Sequence, residues 1–136
     1  LELNVLLKQY LQDYEEVYDY RNIEVTIDEQ DIFNVTINES LAVALLTNLL
    51  KNAFVHNIDG GHIRITVTKN SITFRNSGVK NPLDKEHIFE RFYQGTKKEG
   101  STGLGLAIAD SICRLQHLSI RYYFEQKEHC FEISRQ

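Results

Sequence analysis

The sequence predicts an α+β fold, a two-layer α/β sandwich with a mixed, mostly antiparallel sheet and about three helices on one face. Three observations lead there. Apolar residues recur at helical spacing in three separated segments, and period-two segments arrive mostly as neighbouring pairs across short turns. The chain has 136 residues, 42% of them hydrophobic, which is the size of one domain with one core.

The elements follow in order. Leu3, Leu6, Leu7, Tyr10, Leu11, Tyr14, Val17 and Tyr18 form one stripe, so residues 1 to about 20 are predicted to be helical, and without a cap signal ahead of them they are expected to continue a longer chain. Ile23–Ile27 alternates with period two, and Ile32–Ile37 reads as a second strand. Asn38 then caps a helix over Leu41–Phe54, whose core positions are Ala42, Leu45, Leu46, Leu49, Leu50 and Ala53. After a loop ending at Gly60-Gly61, His62–Thr68 and Ser71–Asn76 pair about Lys69-Asn70. A long irregular stretch from about Val79 to Gly100 holds Pro82 and precedes a helix of roughly residues 103–116; Leu118–Phe124 and Cys130–Ser134 form a last hairpin.

Composition narrows function. With 15 Lys and Arg against 19 Asp and Glu, net charge −4, and no dense basic patch, the composition argues against a nucleic-acid surface. Cys113 and Cys130 have no C-x-x-C spacing and read as core or half-buried thiols in a reducing compartment, not as a metal site or disulfide framework. No stretch approaches the roughly 20 apolar residues a membrane span needs, so the chain as given is expected to be soluble.

Two polar signals carry the chemistry. Gly100-Ser101-Thr102-Gly103-Leu104-Gly105-Leu106-Ala107 is a glycine-rich loop running into a helix. Glycines let backbone approach a ligand closely, and a helix start offers unpaired N–H groups and a positive dipole end, so the segment suits a phosphate as well as a plain turn. Asn48 and Asn52, four residues apart, set two carboxamides on one helix face, where they suit either water or a hard cation such as Mg²⁺ shared with phosphates.

Taken together, Asn48/Asn52, Asn76-Ser77-Gly78, Ile88-Phe89-Glu90-Arg91-Phe92-Tyr93 and Ser101–Leu106 resemble, in order, the N, G1, F and G2 boxes of sensor histidine kinases. That family belongs to the superfamily of gyrase B, Hsp90 and MutL. The resemblance implies the Bergerat fold and an ATP-binding catalytic domain over residues 21–136, with residues 1–20 joining it to a dimerisation stalk. It also implies that Asn52 is the Mg²⁺ ligand and that Asn48 stands where hydrolytic relatives carry a water-activating glutamate. A carboxamide cannot take a proton from water, so transfer is favoured over hydrolysis. Asn76 stands where an aspartate usually meets the adenine amino group, and the strand pattern points it inward. His56 stands where an aromatic lies against adenine. Gly78, Tyr93, Lys97, Lys98, Thr102, Gly103, Leu104, Gly105 and Leu106 complete the implied nucleotide site, beneath a lid from about Gln94 to Thr102.

Departures are visible too. Lys80 replaces the second G1 glycine, Val55 a common phosphate-contacting lysine and Gln94 a common arginine, leaving Lys51, Arg91, Lys97 and Lys98 as candidate cations. Phe89, Phe92 and Tyr93 read as packing residues at the lid base. None of the five histidines sits in a His-Glu/Asp acceptor box, so the resemblance places the phosphoacceptor on a separate dimerisation domain. It further implies a response regulator receiver domain as downstream partner, a homodimeric parent and a cytoplasmic location below a membrane anchor. A nucleotide sensor without turnover and an anti-sigma-factor type serine kinase remain alternatives.

Overall fold

The computed structural model describes residues 1–93 and 103–136. Helix α1 (Leu3–Val17) and a 3₁₀ turn at Asp19–Arg21 lead into β1 (Glu24–Glu29); then come α2 (Glu39–Val55), β2 (His62–Val67), β3 (Ser71–Asn76), α3 (Gly105–Leu115), β4 (Leu118–Glu125) and β5 (Glu128–Arg135). The five strands make one sheet in the order β1-β2-β3-β5-β4. Strands β1 and β2 are parallel and joined through α2; every other pair is antiparallel. This is the expected α+β architecture.

Lateral rows of the sheet explain its two faces. Ile27, Ile65, Phe74, Phe131 and Tyr122 stand in one register row, flanked by Val67, Ile72, Ile133 and Ile120 in the next. These rows join Leu45, Leu46, Leu49 and Leu50 of α2 in the core. The opposite face is polar and tied by ion pairs, including Arg121–Glu132 at 2.7 Å. A third inward row reads Val25, Ile63, Asn76, His129 and Phe124, so two polar residues face the helices where the rows beside them are apolar.

Helix α1 contributes Leu3, Leu6, Leu7 and Leu11 to the same core, and Tyr14 and Tyr18 stack on Phe54 of α2. Arg21 closes the C-terminal end of α2: its guanidinium donates to the Phe54 and Asn57 carbonyls, the latter at 2.7 Å, and pairs with Asp59 at 2.8 Å. A cation there satisfies terminal carbonyls and complements the helix dipole. The expected cap at the other end is present, with Asn38 Oδ1 accepting from the Ser40 N–H at 2.8 Å.

One expected element is absent from the sheet. Ile32–Ile37 forms no strand; Asn34 makes an isolated bridge with Glu2, and Phe33 and Val35 bury their side chains from an extended segment beside the start of the chain. Alternation there records alternate burial, which an extended loop satisfies as well as a strand does. The last hairpin is longer than expected because Gln126 and Lys127 both take left-handed conformations, with φ 52° and 64°, letting the strands run up to a two-residue turn. Both cysteines are buried as expected, and burial pushes the Cys113 thiol up to about 12.

Candidate nucleotide site

Helices α2 and α3 meet over one end of the sheet and leave a cleft between them. Asn48, Asn52 and His56 line it from α2; Gly103, Leu104, Gly105 and Leu106 line it from the start of α3; Tyr93 adds an aromatic wall. The two signals separated by some fifty residues therefore face each other across one space.

Helical spacing explains the α2 wall, since Asn48, Asn52 and His56 follow at intervals of four. The Asn48 amide nitrogen donates to the Ala44 carbonyl at 2.7 Å, and this bond turns its oxygen toward α3. A Cβ at Gly105 would stand only 3.0 Å from that oxygen, so glycine there permits the close approach of the helices. Asn52 is half-buried, and among the described residues nothing hydrogen-bonds its amide.

The α3 wall begins with Gly103, at φ 75°. Its carbonyl accepts the Phe92 N–H at 2.6 Å, and a Cβ on it would come within 2.7 Å of the Phe92 Cα. Glycine is required twice over, by conformation and by space. Leu104, at the N-cap, has no side-chain acceptor for the first turn, and in any α-helix the first N–H groups lack intrahelical partners. The first intrahelical bond is Ile108 N–H to the Leu104 carbonyl, which leaves the N–H groups of Gly105, Leu106 and Ala107 without an intrahelical acceptor, and Gly105 and Leu106 line the cleft.

Phe92 corrects an expectation. Phe89 packs edge-on against Phe131, but Phe92 is 66% exposed, with Arg91 over its ring at 5.5 Å. Its φ of 66° and its bond to Gly103 turn the side chain outward. Tyr93 is both packing and lining residue, its hydroxyl accepting the Asp84 N–H at 3.2 Å. Lys97, Lys98 and Thr102, with the expected lid from Gln94 to Thr102, lie outside the described residues.

Asn76 and Gly78 are not among the residues that line the cleft; Gly78 abuts its His56 end. A Cβ at Gly78 would lie 3.0 Å from the His56 carbonyl oxygen and 3.0 Å from His129 Cδ2. Asn76 is 2% exposed and donates from Nδ2 to the Ser77 carbonyl at 2.8 Å, while its buried Oδ1 has no hydrogen-bond partner among the described residues. Because a carbonyl can only accept, that bond fixes which end of the amide is the nitrogen, and the atom left over is an acceptor. Such orphans are uncommon in native interiors.

Two polar groups escaped the sequence reading. Asn57, fully buried, donates to the Ala53 and His62 carbonyls at 3.1 and 3.0 Å and accepts from Ile58 N–H at 2.8 Å and the Ser77 hydroxyl at 2.5 Å. It ties the end of α2 to the end of β3. His129 donates from Nε2 to the Val79 carbonyl at 2.7 Å and its Nδ1 shares a 2.7 Å hydrogen bond with the Tyr122 hydroxyl, whose oxygen accepts the Leu83 N–H at 2.9 Å. Burial lowers the His129 pKa and so favours the neutral ring, in which Nδ1 accepts from that hydroxyl.

A cleft with neutral amides on one wall and a helix start on the other, mounted on a two-layer α+β sandwich, has the makeup of a nucleotide-binding domain. Residues 37–134 match the model of the histidine kinase-, DNA gyrase B- and HSP90-like ATPase family. The chain belongs to that family. It is 33% identical over 127 residues to the heme sensor protein HssS of Staphylococcus aureus (strain Newman), a match covering 90% of this chain and 28% of that protein. The catalytic domain of histidine kinase ThkA superposes with a TM-score of 0.84 at 25% identity, covering 98% of this chain and 91% of that one. ThkA in complex with response regulator protein TrrA gives a TM-score of 0.76 at 24% identity, covering 100% of this chain and 41% of that one. Among the described residues, no helix is long and apolar enough to cross a membrane.

Proposed function

We propose that this chain binds ATP with Mg²⁺ and presents the γ-phosphate to a histidine on a separate dimerisation domain, as the catalytic part of a sensor histidine kinase in a two-component pair. The observation that carries the reading is the shared cleft, in which the Asn48/Asn52 helix faces the glycine-led start of α3. The chain spans about a quarter of the curated relative it matches, so the acceptor histidine and the membrane anchor are assigned to the rest of a longer protein. Residues 1–20 join the two parts, and residues 21–136 form the ATP-binding unit. A response regulator receiver domain is the downstream partner in this reading, which the complex of ThkA with the response regulator protein TrrA supports.

The residues fit both groups. Asn52, whose amide has no other partner among the described residues, would hold Mg²⁺ through its oxygen. The ion, when bound, neutralises phosphate charge. Amides of Gly105 and Leu106 suit the phosphate oxygens, and the α3 dipole favours their negative charge. His56 and Tyr93 offer flat surfaces for a nucleobase, and the orphan Asn76 oxygen supports acceptance of a hydrogen bond from an adenine amino group. Asn48 holds a neutral carboxamide against Gly105 and has no basic group to activate water. These features favour holding ATP for transfer over hydrolysing it.

One experiment tests both parts. Calorimetry with Mg-ATP and Mg-GTP is expected to show a clear preference for ATP, and a separately made dimerisation domain added with ATP is expected to acquire acid-labile phosphohistidine. Equal binding of the two nucleotides would remove Asn76 from the site. ATP binding without transfer to any added acceptor would favour the nucleotide-sensor alternative.

A further inference from the structure

We propose that Lys51 is the cleft's phosphate-contacting cation, reaching the metal-bound end of the polyphosphate; this rests on the nucleotide reading above. Lys51 lies on the cleft wall between Asn48 and Asn52 in sequence, exposed at its mouth. Among the described residues Lys51 makes no ion pair, is the one Lys or Arg lining the cleft, and shares it with no lining carboxylate. The remaining α2 lining residue, Val55, is apolar and follows Lys51 by one turn.

Charge makes this residue consequential. Mg-ATP keeps net negative charge after the ion has neutralised part of it, and among the described lining residues only Lys51 carries a full positive charge to meet that remainder. An ammonium on a four-carbon stem has the reach and freedom to follow phosphate oxygens, acting as a point charge with three donors. Along α2, Lys51 lies one residue from Asn52 and five from His56, about 7.5 Å along the axis, so its head falls nearer the metal end of the ligand than the nucleobase side. Its contribution therefore appears only with ligands that carry a polyphosphate.

The test is a titration series of adenosine, AMP, ADP and ATP, all with Mg²⁺, on the wild-type chain, Lys51→Gln and Lys51→Arg, with circular dichroism to check folding. Lys51→Gln is expected to weaken ATP and ADP by about tenfold, the scale of one hydrogen bond to a charged group. Adenosine should be unchanged, Lys51→Arg should recover most of the loss, and the salt dependence of ATP binding should be shallower in Lys51→Gln than in wild type. Unchanged ATP affinity in Lys51→Gln beside a binding wild-type chain overturns the role of Lys51 alone, as does an equal loss for adenosine. A wild-type chain that binds none of the four overturns the nucleotide reading and Lys51 with it.

Discussion

Replacing Asn52 with alanine is expected to weaken Mg-ATP binding by about ten- to hundredfold while leaving magnesium-free binding nearly unchanged. Interactions with charged groups are each worth about 1.5–3 kcal/mol, and each 1.4 kcal/mol is about tenfold in affinity. The loss should be confined to binding. Asn52 is half-buried and its amide has no partner among the described residues, so alanine breaks no hydrogen bond identified there, and alanine is the best helix former. A stability change within about 0.5 kcal/mol is expected. Titrations with and without magnesium, beside thermal melts, separate the two effects, and a Mg-ATP affinity equal to wild type would remove Asn52 from the metal.

Asn57→Leu should act on the fold first. The amide sits at the centre of four hydrogen bonds joining α2, the loop to β2 and the end of β3. Leucine has similar bulk but no polar atoms, so the Ser77 hydroxyl and the His62 and Ala53 carbonyls lose a buried partner. A loss of about 3 kcal/mol follows from net bonds of about 1 kcal/mol each with further cost for stranded groups. That corresponds to a melting temperature lower by roughly 10 °C for a domain of this size. The surroundings give the site little freedom to adjust, because a Cβ at Gly61 would already lie 2.3 Å from both Asn57 Oδ1 and Ser77 Oγ. Nucleotide affinity should fall as well, since the knot holds His56 on one side and Asn76 on the other. A melting temperature within a degree or two of wild type would show that the knot is dispensable.

These two asparagines also mark how much the sequence discloses. Asn52 was legible because its partner lies four residues away on a strongly apolar helix, a local pattern with a chemical meaning. Asn57 was not, because its bonds reach Ser77 and His62, and one buried amide in a loop resembles any other. The same contrast holds for the fold. Periodicity placed the helices and both hairpins, since burial on one face leaves a trace in every turn or pair of residues. It misread Ile32–Ile37, where Phe33 and Val35 are buried by the start of α1 and not by a neighbouring strand. Phe92 shows the limit for side chains: its spacing fits an apolar face, but a left-handed backbone turns the ring out to solvent. His129 has no sequence signal at all; only the sheet register sets it beside Asn76.

Amide NMR of the isotope-labelled chain titrated with Mg-ATP reports where the nucleotide sits without presuming which residues hold it. The largest shifts are expected along α2 from Asn48 to His56 and at the start of α3 from Gly105 to Ile108, with the edge strand β1 unmoved. Shifts centred on the polar face of the sheet, or none at saturating Mg-ATP, would contradict a nucleotide site between α2 and α3.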